Sequence, residues 1–152
     1  MLLTELFAVE DVVVGLDPAD KWQAIRDLVT HLVARGRLAE ERLEEVLDAV
    51  LDRERSMSTG MEHGVAIPHA AVDQLEEVIA CLGVINREGG LPFESIDGQP
   101  ASMVVLLVIP RAHKLLHIRT LADVARVLSK ADVRAQLLQA KSSAEAHAAL
   151  GQ

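Results

Sequence analysis

Two uninterrupted apolar segments constrain the fold of this chain more than any other feature. EVIACLGVIN (77–86) and ASMVVLLVIP (101–110) are rich in Val and Ile and lack the polar–apolar alternation of a half-exposed strand. Such runs are typical of central strands that are covered on both faces of a sheet. Shorter strands are predicted at residues 9–16 and 65–69, and the second of these is expected to end at Pro68.

Helical periodicity fills the chain before and after these strands. In the first helix Asp17 is the predicted N-cap and Pro18 is the predicted first helical residue. In the third helix Leu115 and Ile118 belong to the apolar stripe, so they are predicted to face the core. The predicted helices cover residues 17–36, 40–55 and 113–128, followed by a short helix after Ser129 and a last one that begins with a capping box of Ser142 and Glu145.

Helices that precede and follow a block of strands indicate the fold class. Residues 1–152 are predicted to form a single α/β domain, a layered sandwich with a mixed central β-sheet and helices on both faces. Half of the residues are apolar, which allows a sizeable core in a chain of this length. The one cysteine, Cys81, lies inside an apolar run and is predicted to be a core residue in a reducing compartment.

Net charge and composition argue against several classes of function. The formal charge of -8 argues against binding to nucleic acids or anionic membranes and favours a partner with a basic face. The chain has no Tyr, one Trp and two Phe, so aromatic side chains for stacking bases are missing. No apolar run approaches the roughly 20 residues that span a bilayer, and the N-terminal segment does not resemble a signal peptide. A cytoplasmic location without membrane insertion is therefore expected.

Four of the six histidines fall into two clusters. The first pair flanks the predicted strand GVAIP, and the second pair lies four residues apart at the start of a helix, so its members can share one face. The remaining two lie alone within helices and are predicted to be structural or surface residues. The pairs are His63 with His69 and His113 with His117, and the isolated residues are His31 and His147.

A metal site is one chemistry that these histidines could support. His113 and His117 have a spacing that suits two ligands on a helix, and Glu62 or His63 could supply a third. A site formed by His63, His69 and His117 is a second arrangement of the same kind. The pattern is weak, because the chain has no HExxH motif and no cysteine next to these residues.

Two further chemistries use the segment between the histidines. In a hydrolase, Ser58 or Thr59 would pair with a histidine, although the chain has no G-x-S-x-G motif. Alternatively, a histidine could itself accept a phosphoryl group, with cationic and N–H donors around the phosphoryl oxygens. Arg53 and the amides next to Gly60 and Gly64 could provide those donors. These residue types alone do not decide between the alternatives.

The whole segment RERSMSTGMEHGVAIPHA (53–70) is more specific than its individual residues. It resembles the phosphoryl-acceptor motif of the phosphotransferase-system enzyme IIA family of the fructose/mannitol type, which includes a nitrogen-regulatory branch. FESIDGQPASMVVLLVIP and LHIRTLADVARVL are similar to later segments of the same family, so the resemblance covers essentially the whole chain. The chain departs from the pattern at Met57, where the family usually has glycine.

The resemblance implies a role for each residue of the motif. His69 would carry the phosphoryl group, and His117 would be the second histidine, which holds the phosphoryl oxygens. Arg53 would offer its guanidinium to the phosphoryl group or orient the loop. The resemblance further implies a phosphoryl-binding loop of Ser58, Thr59, Gly60 and Gly64 and a cleft rim of Glu62 and His63.

The resemblance also implies partners. An HPr-like phosphocarrier protein would donate to His69, and a IIB domain or a regulatory target would receive the phosphoryl group or the signal. No metal or other cofactor is required by this scheme. The chain contains no recognisable IIB, carrier or membrane domain, which favours the regulatory branch over sugar transport. The alternative is an interaction module that is not phosphorylated, or a metal-binding protein.

Overall fold

A computed structural model describes residues 2–151 of the chain, which form five strands and six α-helices. The strands are β1 (Val12–Val14), β2 (Val65–Ala66), β3 (His69–Val72), β4 (Ile79–Val84) and β5 (Met103–Pro110). The helices are α1 (Leu3–Leu6), α2 (Lys21–Ala34), α3 (Leu43–Ser56), α4 (Lys114–Leu128), α5 (Ala131–Gln139) and α6 (Ser143–Ala149). Short 3-10 helices cover Val9–Asp11 and Glu40–Arg42.

The two long apolar runs form the centre of the sheet as β4 and β5. The two strands pair antiparallel, with Ile79 opposite Val108 and Val84 opposite Met103, and every residue in them is buried. β1 extends the sheet parallel to β4, while β2 and β3 both pair parallel with the other edge of β5. The predicted mixed sheet with fully buried central strands is therefore confirmed.

Helices cover both faces of this sheet. Alternate residues of β5 point to opposite sides, so the sheet separates two apolar clusters. One cluster joins Val105 and Leu107 to α1, α4, α5 and α6, and the other joins Leu106 and Val108 to α2 and α3. The predicted α/β sandwich is confirmed. Within residues 2–151, no helix combines the length and the apolar character needed to cross a membrane.

The first long helix begins later than the sequence predicts. Asp20, not Asp17, is the N-cap of α2, and its carboxylate accepts a hydrogen bond of 2.8 Å from the backbone N–H of Gln23. The carboxylate of Asp17 instead contacts the guanidinium of Arg87 at 2.8 Å. Pro18 therefore lies in the turn before the helix, and its predicted place inside the helix is wrong.

The predicted strand at 9–16 is also shorter in the structure. A 3-10 helix occupies its first three residues, and only Val12–Val14 pair with β4. The buried carboxylate of Asp11 accepts a hydrogen bond from the N–H of Ala8 and pairs with Arg37, which closes this turn. Local side-chain contacts therefore override the β propensity of the flanking valines.

Three of the predictions concern single residues in or near the core, namely His31, His147 and Cys81. His31 and His147 each place Nε2 at 2.7 Å from a carbonyl of the N-terminal segment, that of Glu10 and that of Phe7 respectively. Both histidines thus have the structural role that was predicted. Cys81 is buried in β4, and this burial raises the pKa of its thiol, as expected for a core residue.

The apolar stripe predicted for α4 is wrong at two positions. Leu115 is 77% exposed and Ile118 is 67% exposed. At 100° per residue these two positions lie on the opposite side of the helix from the buried face. The residues that α4 buries are Thr120, Val124, Val127 and Leu128.

Candidate functional site

A break between β2 and β3 positions His69. The two strands follow one line along β5, separated by Ile67 and Pro68. The prediction that the strand ends at Pro68 is wrong, because pairing resumes at His69 opposite Leu107. Proline has no N–H for the ladder, although its carbonyl still accepts a hydrogen bond of 3.1 Å from Leu107. The carbonyl oxygen of Ile67, the residue before Pro68, lies 2.8 Å from Nδ1 of His69.

The contact with Ile67 assigns the tautomer of His69. A carbonyl oxygen can only accept, so Nδ1 carries the proton and Nε2 keeps a free lone pair. Burial of the side chain, which is 9% exposed, lowers the pKa of His69, and the bond to Ile67 partly opposes this. The charges of Arg53 and His117 lower the pKa further, while Glu54 raises it. The net result is a neutral imidazole at pH 7.

The second histidine of the site comes from α4. The ring of His117 meets that of His69 edge to face, with centroids 5.4 Å apart and an interplanar angle of 75°. His113, one turn earlier, is exposed and precedes the first residue of the helix. The structure therefore brings together His69 and His117 from separate sequence clusters, and His113 stays outside the contact.

Arg53 and Met57 lie where α3 ends and the loop begins. One guanidinium nitrogen of Arg53 donates a hydrogen bond of 2.8 Å to the carbonyl of Met57, so this side chain stabilises the loop in the present structure. Met57 has φ -163° and ψ 130°, an extended conformation that any residue adopts. The turn therefore does not need the glycine that the family usually has at this position.

Replacing Met57 by glycine is expected to lower the free energy of unfolding by about 0.5 to 1 kcal/mol. Methionine occupies this backbone conformation without strain, whereas glycine would gain conformational freedom in the unfolded chain. Urea denaturation of the two proteins measures the difference. A variant more stable than the parent would show that the native turn prefers glycine.

Glu54 is a residue of the site whose role sequence reasoning missed. Its carboxylate is shut off from solvent and accepts two hydrogen bonds from Thr59, one from the N–H at 2.9 Å and one from the hydroxyl at 2.5 Å. The same carboxylate contacts Nζ of Lys21 at 3.3 Å. Helical spacing offered a signal, because Glu54 follows Val50 and Leu51 by four and three residues on the buried stripe of α3.

The loop residues Ser58 to Gly64 are fixed mainly by contacts with the protein itself. The hydroxyl of Ser58 donates to the carbonyl of Glu94 at 2.6 Å, and that of Thr59 donates to Glu54. Neither hydroxyl contacts a histidine, so the serine or threonine nucleophile considered from the sequence is not assembled. A Cβ at Gly60 would lie 2.0 Å from the carbonyl oxygen of Glu94, which explains the glycine there.

The predicted rim residues Glu62 and His63 are exposed beside this loop. Together with Ile67 and neighbouring apolar side chains they line a cavity of about 190 Å³. The N–H of His63 donates to the carboxylate of Asp97 at 2.9 Å, and this bond lowers the pKa of Asp97. Within residues 2–151, no three His, Cys, Asp or Glu side chains are grouped as metal ligands, so neither predicted metal arrangement is formed there.

The family to which the chain belongs follows from comparison with known proteins. Residues 5–152 match the family described as Phosphoenolpyruvate-dependent sugar phosphotransferase system, EIIA 2. The chain is a member of this EIIA type 2 family. The resemblance seen in the acceptor motif is therefore confirmed.

Relatives of this EIIA protein have names of two kinds. The nitrogen regulatory protein of Bradyrhizobium diazoefficiens is 33% identical over 146 residues, which cover 96% of this chain and 92% of that protein. The fructose-specific EIIA component of Haloferax volcanii is 33% identical over 125 residues, or 82% of this chain and 79% of that protein. The fructose-specific EIIABC component of Bacillus subtilis is 30% identical over 93% of this chain, which spans 22% of that protein's length.

Solved structures share the fold of this EIIA protein. Nitrogen regulatory protein IIA-Ntr from Neisseria meningitidis superposes with a TM-score of 0.84 at 24% identity, over 97% of this chain and 98% of that one. A complex of enzyme IIAMTL and phosphorylated enzyme IIBMTL from Escherichia coli contains a chain with a TM-score of 0.78 at 23% identity. That match covers 95% of this chain and 96% of the other. At these identities the likeness shows the fold.

Proposed function

We propose that this EIIA protein is a phosphohistidine carrier of the phosphoenolpyruvate-dependent phosphotransferase system. His69 accepts a phosphoryl group from an HPr-like carrier and passes it to a IIB-type partner or keeps it as a regulatory signal. The observation that carries the proposal is the orientation of His69, whose Nδ1 is held by Ile67 while Nε2 is uncommitted. In this scheme the protein works in the cytoplasm, needs no cofactor and turns over no small molecule by itself.

The lone pair on Nε2 of His69 provides the chemistry. It attacks the phosphorus of the donor's phosphohistidine, a new P–N bond forms, and the P–N bond to the donor breaks as its imidazole leaves with the electron pair. The proton stays on Nδ1, which donates its hydrogen bond to the carbonyl of Ile67 throughout. Because burial lowers the pKa of His69, the attacking ring is neutral at pH 7, as the reaction requires.

Neighbouring side chains stabilise the transferring group in this proposal. His117 donates a ring N–H to a phosphoryl oxygen, and Arg53 supplies positive charge after its guanidinium turns away from the carbonyl of Met57. The hydroxyls of Ser58 and Thr59 already donate to protein atoms, so in this proposal they do not donate to the phosphoryl oxygens. The loop instead forms a wall that bounds the cleft. The proposed wall of the cleft is Ser58, Thr59, Gly60 and Gly64, and its proposed rim is Glu62 and His63.

Two branches of the family differ in the fate of the phosphoryl group. We favour the regulatory branch, in which the phosphorylation state controls a partner protein, over delivery of the group to a sugar permease. The match to a nitrogen regulatory protein covers 96% of this chain at 33% identity, and the fructose-specific matches cover 82% at 33% identity and 93% at 30% identity, so the support from coverage is small. Mixing the phosphorylated protein with a fructose-type IIB domain distinguishes the branches, since rapid transfer would support transport.

Phosphorylation by a reconstituted relay tests the proposal. The protein is incubated with phosphoenolpyruvate, bacterial enzyme I and the HPr-like carrier of the same genome, and its intact mass is measured at mildly alkaline pH. One acid-labile phosphoryl group is expected, and none when the carrier is omitted. If the protein gains no phosphoryl group but binds the carrier, it is an interaction module, whereas stoichiometric zinc in the purified protein would support a metal site.

The initial rate of phosphorylation is expected to fall as the pH is lowered through the pKa of His69, with a midpoint below the usual value of about 6.5, because burial lowers the pKa of this ring. The same shift makes protonation of His69 oppose folding. The stability that the neutral His69 ring contributes to the folded state is present above the unfolded-state pKa and is lost as the pH falls through the folded-state pKa. NMR titration of the His69 ring checks this, and a midpoint above 6.5 would contradict it.

A further inference from the structure

A lysine begins α2, where helices favour an acidic residue. Lys21 is the first residue of this helix, and its ammonium has the same sign as the partial charge of a helix N-terminus. Its Nζ contacts the carboxylate of Glu54 at 3.3 Å. The same atom lies 4.8 Å from the ring centroid of Trp22 and 4.9 Å from that of Phe93. The contact with a buried carboxylate therefore explains a lysine at this position.

A series of hydrogen bonds leads from this ion pair to the ring of His69. Glu54 accepts from the N–H of Thr59 at 2.9 Å and from its hydroxyl at 2.5 Å. The carbonyl of Thr59 accepts from the N–H of Ile67 at 3.1 Å, and the carbonyl of Ile67 lies 2.8 Å from Nδ1 of His69. The ammonium of Lys21 and the imidazole are thus the two ends of one continuous series.

Ile67 transmits the position of the loop to the ring. Its N–H is held by Thr59, and the proline that follows restricts its backbone to extended conformations. The carbonyl of Ile67 therefore has little freedom to rotate on its own. A second bond of 2.7 Å, from the N–H of Met61 to the carbonyl of Val65, keeps the two segments paired. A displacement of Thr59 consequently moves the carbonyl that holds the proton of His69.

We propose that Glu54 and Lys21 are positioning residues for phosphoryl transfer, which act through Thr59 and Ile67 to keep the ring proton of His69 on Nδ1. The inference rests on the proposed function, because the lone pair that this leaves on Nε2 is the group that attacks phosphorus. Without the ammonium, the carboxylate would be an uncompensated buried charge, which is relieved by admitting water or by moving toward solvent. Either change displaces Thr59.

Two variants that each remove the cation of a buried ion pair test this inference. Lys21→Met removes the ammonium beside Glu54 but keeps an unbranched side chain against the neighbouring aromatic rings. Arg37→Met does the same beside Asp11, which lies outside the series that leads to His69. The two carboxylates are 0% and 2% exposed, and the change in net charge is equal. Urea denaturation is expected to show a loss of stability in both variants.

The position of the ring proton is the readout that a purely structural role would not change. NMR of the nitrogen-labelled His69 ring, at about pH 8 and without a phosphoryl donor, shows which nitrogen is protonated. The parent and Arg37→Met are expected to keep the proton on Nδ1, whereas Lys21→Met transfers a fraction of it to Nε2. The initial rate of phosphorylation is expected to fall roughly tenfold in Lys21→Met and to stay within about twofold in Arg37→Met.

Glu54→Gln gives a second test, and it decides the question if Lys21→Met does not fold. Its amide oxygen accepts only one of the two bonds from Thr59, and the negative charge that raises the pKa of His69 is lost. Arg53 and His117, whose charges lower that pKa, are unchanged. A lower midpoint in the NMR titration of His69 is therefore expected, with part of the proton on Nε2. A ring with the midpoint and the tautomer of the parent would overturn the inference.

The two readouts separate this inference from the proposed function, because the NMR measurement needs no phosphoryl donor. A parent protein that gains no phosphoryl group from its own carrier overturns the carrier function. A parent that is phosphorylated, together with a Lys21→Met variant that matches Arg37→Met in tautomer and in rate, overturns the positioning role. The carrier function would then stand, and the ion pair of Lys21 with Glu54 would only stabilise the fold.

Discussion

Replacing His69 by glutamine is expected to abolish phosphorylation, with a loss of at least about 10³-fold in initial rate. Glutamine has no imidazole lone pair to attack phosphorus, although its amide N–H can still donate to the carbonyl of Ile67. The fold around the break between β2 and β3 is therefore expected to persist. Intact mass spectrometry gives the end point, and rapid quenching of the relay gives the rate.

His117 provides the informative comparison. His117→Gln is expected to slow phosphorylation by about 10²-fold, the usual cost of one lost donor to a transition state, while the end point stays at one group. His113→Gln is a matched control, because His113 is exposed and outside the ring contact. If His69→Gln is still phosphorylated and His117→Gln is not, then His117 is the acceptor and His69 has the supporting role.

The central sheet and the histidine pair were predictable for different reasons. Long Val- and Ile-rich runs can be stable only where both faces are covered, so β4 and β5 followed from composition and length alone. The contact between His69 and His117 spans 48 positions of sequence, and no local pattern contains it. Only the resemblance of the acceptor motif and the later helix to one family linked the two residues.

Tertiary contacts decided the features that were predicted wrongly. Asp17 and Asp20 are both good N-caps by residue type, and the ion pair of Asp17 with Arg87 left Asp20 to begin the helix. Periodicity treats every apolar residue as a core residue, so it could not show that Leu115 and Ile118 face outward.

Replacing Glu54 by alanine is expected to lower the free energy of unfolding by about 3 kcal/mol, the usual cost of removing one partner from a buried ion pair. The change leaves the N–H and hydroxyl of Thr59 and the ammonium of Lys21 without their acceptor. Urea denaturation measures the loss. Glu44→Ala, at an exposed position of the same helix, is the control and is expected to stay within about 0.5 kcal/mol of the parent.

Glu54→Gln separates shape from charge at the same position. Its carbonyl can accept one hydrogen bond from Thr59, but it cannot neutralise Lys21, so an intermediate loss of stability is expected. Since Arg53 and Thr59 flank the same turn, a loosened loop should also slow phosphorylation of His69. A stability for Glu54→Ala equal to that of Glu44→Ala would show that solvent reaches the vacated space and replaces the carboxylate. The loop would then be held chiefly by the contacts of Ser58 and Gly60 with the backbone at Glu94.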